Sequence, residues 1–378
     1  MTGQSLLVFI VGSIVPSLLV ALLATFVVRR SAARWGLIDQ PSDRKVHATP
    51  TPRGGGLAIW LGVVGTFAVA QLLLLVAQRV PSFVALVPDF ARPHLPGIGA
   101  QSGKLWMLLG AGTVLTFLGL ADDRRGLSWQ FRLFVEFAVA ALCVWLVPNL
   151  RLTAFIPYPL VTGLLSVLWI VALINAFNML DNMDGLSAGV ATISAGMLAA
   201  VLLLSPNPAT NQPQLFVAGL LLVLIGSLLG FLWHNRPPAT IFMGDSGAYF
   251  LGFMIAACTL LASYTGYQSP RRHAILAPLL VMAVPLYDMG SVILIRLRAG
   301  KSPFSADKNH FSHRLVDLGL TKLQAVLTIY LTTATCGLAA LLLHRVDRIG
   351  AVLIVLLVGC VLAVIAILET TARHTIRR

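Results

Sequence analysis

Fourteen acidic residues occur in this 378-residue chain, and five of them, Asp122, Asp123, Asp181, Asp184 and Asp245, stand in three short polar segments. The segments read ADDRRG at 121–126, NAFNMLDNMDG at 175–185 and MGDSG at 243–247. Carboxylates gathered in one low-dielectric place repel one another, and a divalent cation removes that cost. Hard oxygen donors with few soft ones beside them suit Mg²⁺ or Mn²⁺. Asn175, Asn178, Asp181 and Asp184 recur every three positions, which lines one face of a helix end. The plainer alternative is a set of separate loops whose acids are solvated or cap helices.

Two further segments supply cations. Residues 39–56 carry Arg44, Lys45, His47 and Arg53 ahead of Gly54, Gly55 and Gly56. Residues 302–315 carry Asp307, His310, His313 and Arg314 at three- and four-residue spacing, so a helix there would present them together. Cations facing a metal-bearing acidic cluster suit a pyrophosphate. A zinc site from Asp307, His310 and His313 lacks an evident fourth ligand. Glycines at a helix start allow close backbone approach and leave the N-terminus free to attract an anion, though glycine also serves helix packing in membranes.

The elements that must position these residues are membrane helices. Of the residues, 57% are hydrophobic and 11% charged, with a mean hydropathy of +0.87. Soluble domains carry about 25% charged residues. Apolar runs near the length that crosses a bilayer fall at about 5–28, 55–78, 105–121, 133–148, 158–175, 186–205, 215–233, 247–264, 275–295, 323–343 and 349–368. The expected fold is therefore all-α, a polytopic bundle of about eleven transmembrane helices forming one domain over 1–378. The first run is too long for the core of a cleavable signal and is kept as a span.

Nineteen of the 27 Lys and Arg follow odd-numbered spans or lie in the C-terminal tail, against eight elsewhere. That bias puts the N-terminus outside and the C-terminus in the cytoplasm. All five polar segments follow odd spans, so the active-site loops near 29–54, 122–132, 175–185, 234–246 and 296–322 are expected on the cytoplasmic face. The net charge of +13 is explained by this bias, anionic lipid and an anionic substrate, without nucleic acid. Cys143, Cys258, Cys336 and Cys360 lie in apolar runs without metal-like spacing and read as free thiols packed in helices. Glu136 stands four residues after Arg132, the spacing of a local ion pair. Asp288 falls inside the ninth run and must face the protein interior, paired or functional.

The five segments, in this order over about 39–315, resemble the polyprenyl-phosphate N-acetylhexosamine-1-phosphate transferases of the WecA/TagO type. These are relatives of the phospho-MurNAc-pentapeptide translocase. The resemblance implies that Asp122 and Asp123 match the family's Asp-Asp pair, tied to catalysis and the lipid phosphate. Asn178 and Asp245 match the metal-binding pair. Asp181 and Asp184 match acids linked to catalysis and nucleotide binding, and Lys45 a basic residue contacting nucleotide or phosphate. His310 and His313 match outer members of a His-x-His-His motif, with His310 counted as catalytic. Ser312 stands where the family has its middle histidine, and Arg314 is expected to supply the missing charge; Arg53, His313 and Arg314 are the further expected phosphate-binding residues.

The implied reaction moves a sugar-1-phosphate, GlcNAc-1-phosphate by preference, from a UDP-sugar to a polyprenyl phosphate and releases UMP. The product starts a cell-envelope glycan. The implied cofactor is Mg²⁺ or Mn²⁺. The implied partners are the UDP-sugar, the polyprenyl-phosphate lipid and the membrane, with a homodimer left open. The implied location is a bacterial inner membrane. Two alternatives stay open at this point: a phospho-MurNAc-pentapeptide transferase, and a multi-span anion transporter. A transporter would set its polar groups near the bilayer midplane on interrupted helices.

Overall fold

A computed structural model describes residues 2–40, 49–80, 82, 87, 92, 95–147, 150–152, 155–205, 207, 210–265, 271–305, 307 and 309–376, with side chains through residue 369. Lys45, with Arg44 and His47, lies outside the described residues.

The bundle is helical, as the apolar runs require. Its elements are α1 (Gly3–Ser31), α2 (Gly55–Arg79), α3 (Leu95–Arg125), α4 (Trp129–Leu146), α5 (Pro159–Leu180), α6 (Leu186–Leu204), α7 (Leu215–Asn235) and α8 (Gly244–Leu261). A 3₁₀ turn (Arg272–Leu276), α9 (Ala277–Val281), α10 (Ala283–Arg298), α11 (Phe311–Asp317), α12 (Lys322–Leu342) and α13 (Arg348–Ile376) follow. Among the described residues ten helices are long and apolar enough to cross a membrane, and a bent pair makes eleven where it is counted as one span. That pair, Arg272–Val281 with Ala283–Arg298, differs from the single span expected over 275–295: it turns by 63°. Pro285 has no N–H to bond back to the Val281 carbonyl, so the helical ladder breaks at Met282.

Helix α8 is the hub. In its membrane window 83% of residues are buried, against 11% in α1 and in α13. It packs on α2, α3 and α5. Small residues permit the contact: a Cβ added to Gly56 would stand 2.0 Å from the Gly247 nitrogen, and one on Gly119 2.4 Å from the Ser246 nitrogen. Without a hydrophobic drive between helices in lipid, such close backbone approach is what association uses. Gly55 and Gly56 thus serve packing.

The segment before α2 folds back on α8. Strands β1 (Ile38–Asp39) and β2 (Thr51–Pro52) pair antiparallel, Ile38 with Pro52 and Asp39 with Thr51. Phe242 N–H then donates to Pro52 O at 2.8 Å, and Gly55 and Gly56 N–H to Phe242 O and Met243 O at 2.9 Å. Three backbone bonds therefore fix the first polar segment against the start of α8.

Candidate active site

All five polar segments contribute to one cavity of about 340 Å³ at one end of the bundle. Six aspartates line it: Asp39, Asp123, Asp181, Asp184, Asp245 and Asp307. The cations Arg53 and Lys322 and the imidazoles His310 and His313 face them.

Asp123, near the end of α3, accepts the Asp245 and Ser246 N–H groups at 3.1 and 3.2 Å. It thus holds the first turn of α8, where free amides are available. Gly244, with φ +73°, lets this crossing form; a Cβ there would lie 2.5 Å from the Asp123 carboxylate. Arg53 pairs with Asp39 at 2.6 Å and reaches Asp123 at 3.9 Å. Asn178 Nδ2 lies 2.6 Å from Asp245 Oδ1. Asp181 caps α5, and its carboxyl is pushed up to about 7, first by burial and then by the negative charge of Asp123. Asp184 accepts the Ala239 N–H at 3.0 Å.

Asp122 is turned the other way, because neighbours on a helix stand about 100° apart. It is 7% exposed and accepts the Leu127 N–H at 2.6 Å. Its other oxygen is ion-paired with Arg132 and receives the Tyr249 hydroxyl at 3.4 Å. Arg132 also lies 3.7 Å from Asp245 Oδ2. Asp245 therefore joins two lobes, the cavity and an Arg132 lobe. Phe131 and Phe134, on the same helix as Arg132, are exposed. The expected local pair of Arg132 with Glu136 is corrected: Arg132 turns to Asp122, and Glu136 receives Asn175 Nδ2 at 2.5 Å.

The second cationic segment is split. Asp288 is fully buried and lies 3.0 Å from His310 Nδ1, while its other oxygen accepts the Phe311 N–H at 2.6 Å. A carboxylate there puts the ring proton on Nδ1 and leaves Nε2 for a ligand. His313 lines the cavity, its ring 6.3 Å from that of His310. Arg314 corrects the expectation of a phosphate-binding role: it is 3% exposed and points into the protein. Its Nε pairs with Glu369 of α13 at 2.8 Å, Nη1 donates to Asn309 O and Nη2 to Ser291 Oγ. A buried carboxylate from the far end of the chain claims it. Ser312 Oγ donates to Asn182 Oδ1 at 2.5 Å, so the serine ties α11 to the turn after α5. Asp307 is gripped by Arg296 at 2.9 and 3.3 Å. Burial would raise its carboxyl, but the hydrogen bonds from Arg296 and Asn309 hold it at about 2. Of the thiols, Cys143, Cys258 and Cys336 are buried and Cys360 is exposed, all free.

Sequence reasoning passed over Lys322, Asn182 and the part played by Arg132. Lys322 opens α12 just after the capping residue Thr321, a signal legible in the chain. Nothing local marked Arg132, whose partners are ten and 113 residues away.

Among the described residues no three His, Cys, Asp or Glu side chains group closely enough to enclose a metal alone. Asp245 and Asn178 nonetheless offer adjacent oxygen donors, since the amide turned over would place its oxygen where Nδ2 stands. That set fits Mg²⁺, which takes one or two protein ligands and completes its shell with water and phosphate.

The fold and the site define a polytopic membrane protein with a carboxylate-rich cavity at one end of the bundle and an Arg132 lobe joined to it through Asp245. A family model, glycosyl transferase family 4, matches residues 105–263. The chain is 33% identical over 347 residues to a probable undecaprenyl-phosphate N-acetylglucosaminyl 1-phosphate transferase of Bacillus subtilis, covering 88% of this chain and 85% of that protein. It is 35% identical over 328 residues to a decaprenyl-phosphate N-acetylglucosaminephosphotransferase of Mycobacterium tuberculosis, covering 82% and 76%. An undecaprenyl-phosphate alpha-N-acetylglucosaminyl 1-phosphate transferase of Yersinia pestis is 30% identical over 332 residues, covering 86% and 81%. The chain belongs to glycosyl transferase family 4.

Proposed function

We propose that this protein transfers N-acetylglucosamine 1-phosphate from UDP-N-acetylglucosamine to a polyprenyl phosphate, at the cytoplasmic face of a bacterial inner membrane. The names of its relatives support the reaction, and the bias of Lys and Arg supports the orientation. The observation that carries the reading is the pairing of two lobes through Asp245. One is an open acidic cavity with Arg53, Lys322 and two histidines. The other is Arg132 beside exposed phenylalanines, 3.7 Å from the same carboxylate.

A diphosphate meeting six aspartates is repelled unless a cation accompanies it. Asp245 and Asn178 would hold Mg²⁺, which would supply that positive charge beside the phosphates. Arg53, Lys322 and His310 Nε2 hold the remaining oxygens of the donor. Arg132 holds the acceptor phosphate, with Asp122 fixing its guanidinium. An acceptor oxygen bonds to the β-phosphorus, and the bond from that phosphorus to the oxygen of UMP breaks. One phosphoanhydride replaces another, and UMP leaves with the negative charge. The acceptor, with a second pKa near 6, is mostly dianionic at neutral pH and needs little help from a base. Asp122 therefore orients and does not deprotonate.

The test uses purified protein with UDP-N-acetylglucosamine, polyprenyl phosphate and Mg²⁺. UMP release that requires all three, with a lipid product of the matching mass, is expected. UMP release without the lipid, or none at all, sinks the reading. A panel of other UDP-sugars reads the sugar preference.

A further inference from the structure

A second cavity, of about 850 Å³, lies at the other end of the bundle. It is bounded by the starts of α5 and α7, the end of α8 and the first third of α3. Lys104 on its wall is eighteen residues before Asp122 on the same helix, which sets the two sites about 27 Å apart along α3.

The wall is built for an anion with an apolar body. Lys104 and Arg151 line it, and among the described residues that line it there is no Asp or Glu. Three residues of the same wall each carry a buried side-chain atom with no hydrogen-bond partner among the described residues: Arg151 Nε, Tyr264 Oη and Thr265 Oγ1. Tyr264 is only 9% exposed, so its hydroxyl has little recourse to solvent. Buried polar atoms are rarely left unpaired, and those that are call for a missing partner. Each of these three has an N–H or O–H to donate, so an acceptor-only group satisfies them all. Leu165, Trp169 and Leu279 complete the wall. Leu165 and Leu279 are 38% and 49% exposed.

We propose that this cavity binds the phosphate of an anionic lipid, drawn from the leaflet opposite the one that borders the aspartate cavity. Phosphate oxygens accept from Arg151, Tyr264 and Thr265, the ammonium of Lys104 balances the charge, and the chain of the lipid leaves past Leu165 and Leu279. A phospholipid and a polyprenyl phosphate share this chemistry. Free phosphate shares the head but has nothing for the apolar walls.

Native mass spectrometry of the delipidated full-length protein in detergent tests the site. Four probes are compared: phosphatidylglycerol, a polyprenyl phosphate, phosphatidylcholine and inorganic phosphate. Retention of phosphatidylglycerol, or of a second equivalent of polyprenyl phosphate beyond the one held at Arg132, is expected and names the source. The double variant Lys104→Gln/Arg151→Gln should lose that lipid by about ten-fold or more, while still releasing UMP in detergent. Tyr264→Phe, which keeps the ring and removes the donor, should lose it several-fold, and decides the matter if the double variant does not fold. Phosphatidylcholine or inorganic phosphate binding as tightly, or unchanged retention by the variants, overturns the proposal.

Discussion

At the scale of single residues, Asp181 and His310 are set by what lies behind them. The carboxyl of Asp181 titrates near 7 and not at 3.8, because burial and Asp123 oppose its charge. Below pH 7 it carries a proton, which must leave before a cation in the cavity gains from its charge. Lowering the pH from 8 to 6 should therefore weaken Mg²⁺ binding by up to about ten-fold, read by calorimetry on the purified protein. In Asp181→Asn the affinity should be lower and the profile shallower over that range; an equally steep profile in the variant would assign the effect elsewhere. His310 depends on Asp288 for its tautomer. Asp288→Asn should lower kcat by about ten- to a hundred-fold with little change in KM for the lipid. A thermal midpoint that falls while kcat holds would reduce Asp288 to a structural role.

At the scale of elements, the short helix α11 is positioned from two sides. Ser312 ties it to Asn182, and Arg314 ties it to Glu369 of α13. Glu369 is 5% exposed and also receives the Tyr287 hydroxyl at 3.0 Å. Removing one member of a buried ion pair leaves the other charge stranded, at a cost of about 3–5 kcal/mol. Glu369→Ala should lower the thermal midpoint and speed hydrogen exchange in α11, reducing activity although the residue is not among those lining the cavity. The double change Glu369→Leu/Arg314→Met should recover most of the midpoint. If the single variant is as stable as the parent, α13 does not brace the histidines.

At the scale of the whole molecule, the five polar segments meet at one end because every second connection returns the chain there. That geometry holds whichever way the bundle is inserted. Insertion is read by labelling single cysteines in a Cys360→Ala background. Asn211 and Arg236 are exposed at opposite ends of α7. In intact cells an impermeant maleimide should label Asn211→Cys and should reach Arg236→Cys only after permeabilisation. The reverse pattern would place the aspartate cavity outside.

The apolar runs, read alone, already determined the helical class, the number of spans and their order, because a bilayer leaves the backbone no other way to satisfy its hydrogen bonds. The same chain also displayed the acids at 122–123, 181, 184 and 245, since charged residues are few and stand out against apolar runs. Only the tertiary structure decided what each one faces. Asp122 and Asp123 are adjacent in sequence yet serve different lobes, through partners just before α2, on α4 and on α8. Arg314, spaced like a ligand of the cavity, turns inward to Glu369, 55 residues on. Local spacing fixes the face of a helix a residue occupies. What that face meets depends on segments far along the chain, and a buried charge settles wherever its counter-charge is brought.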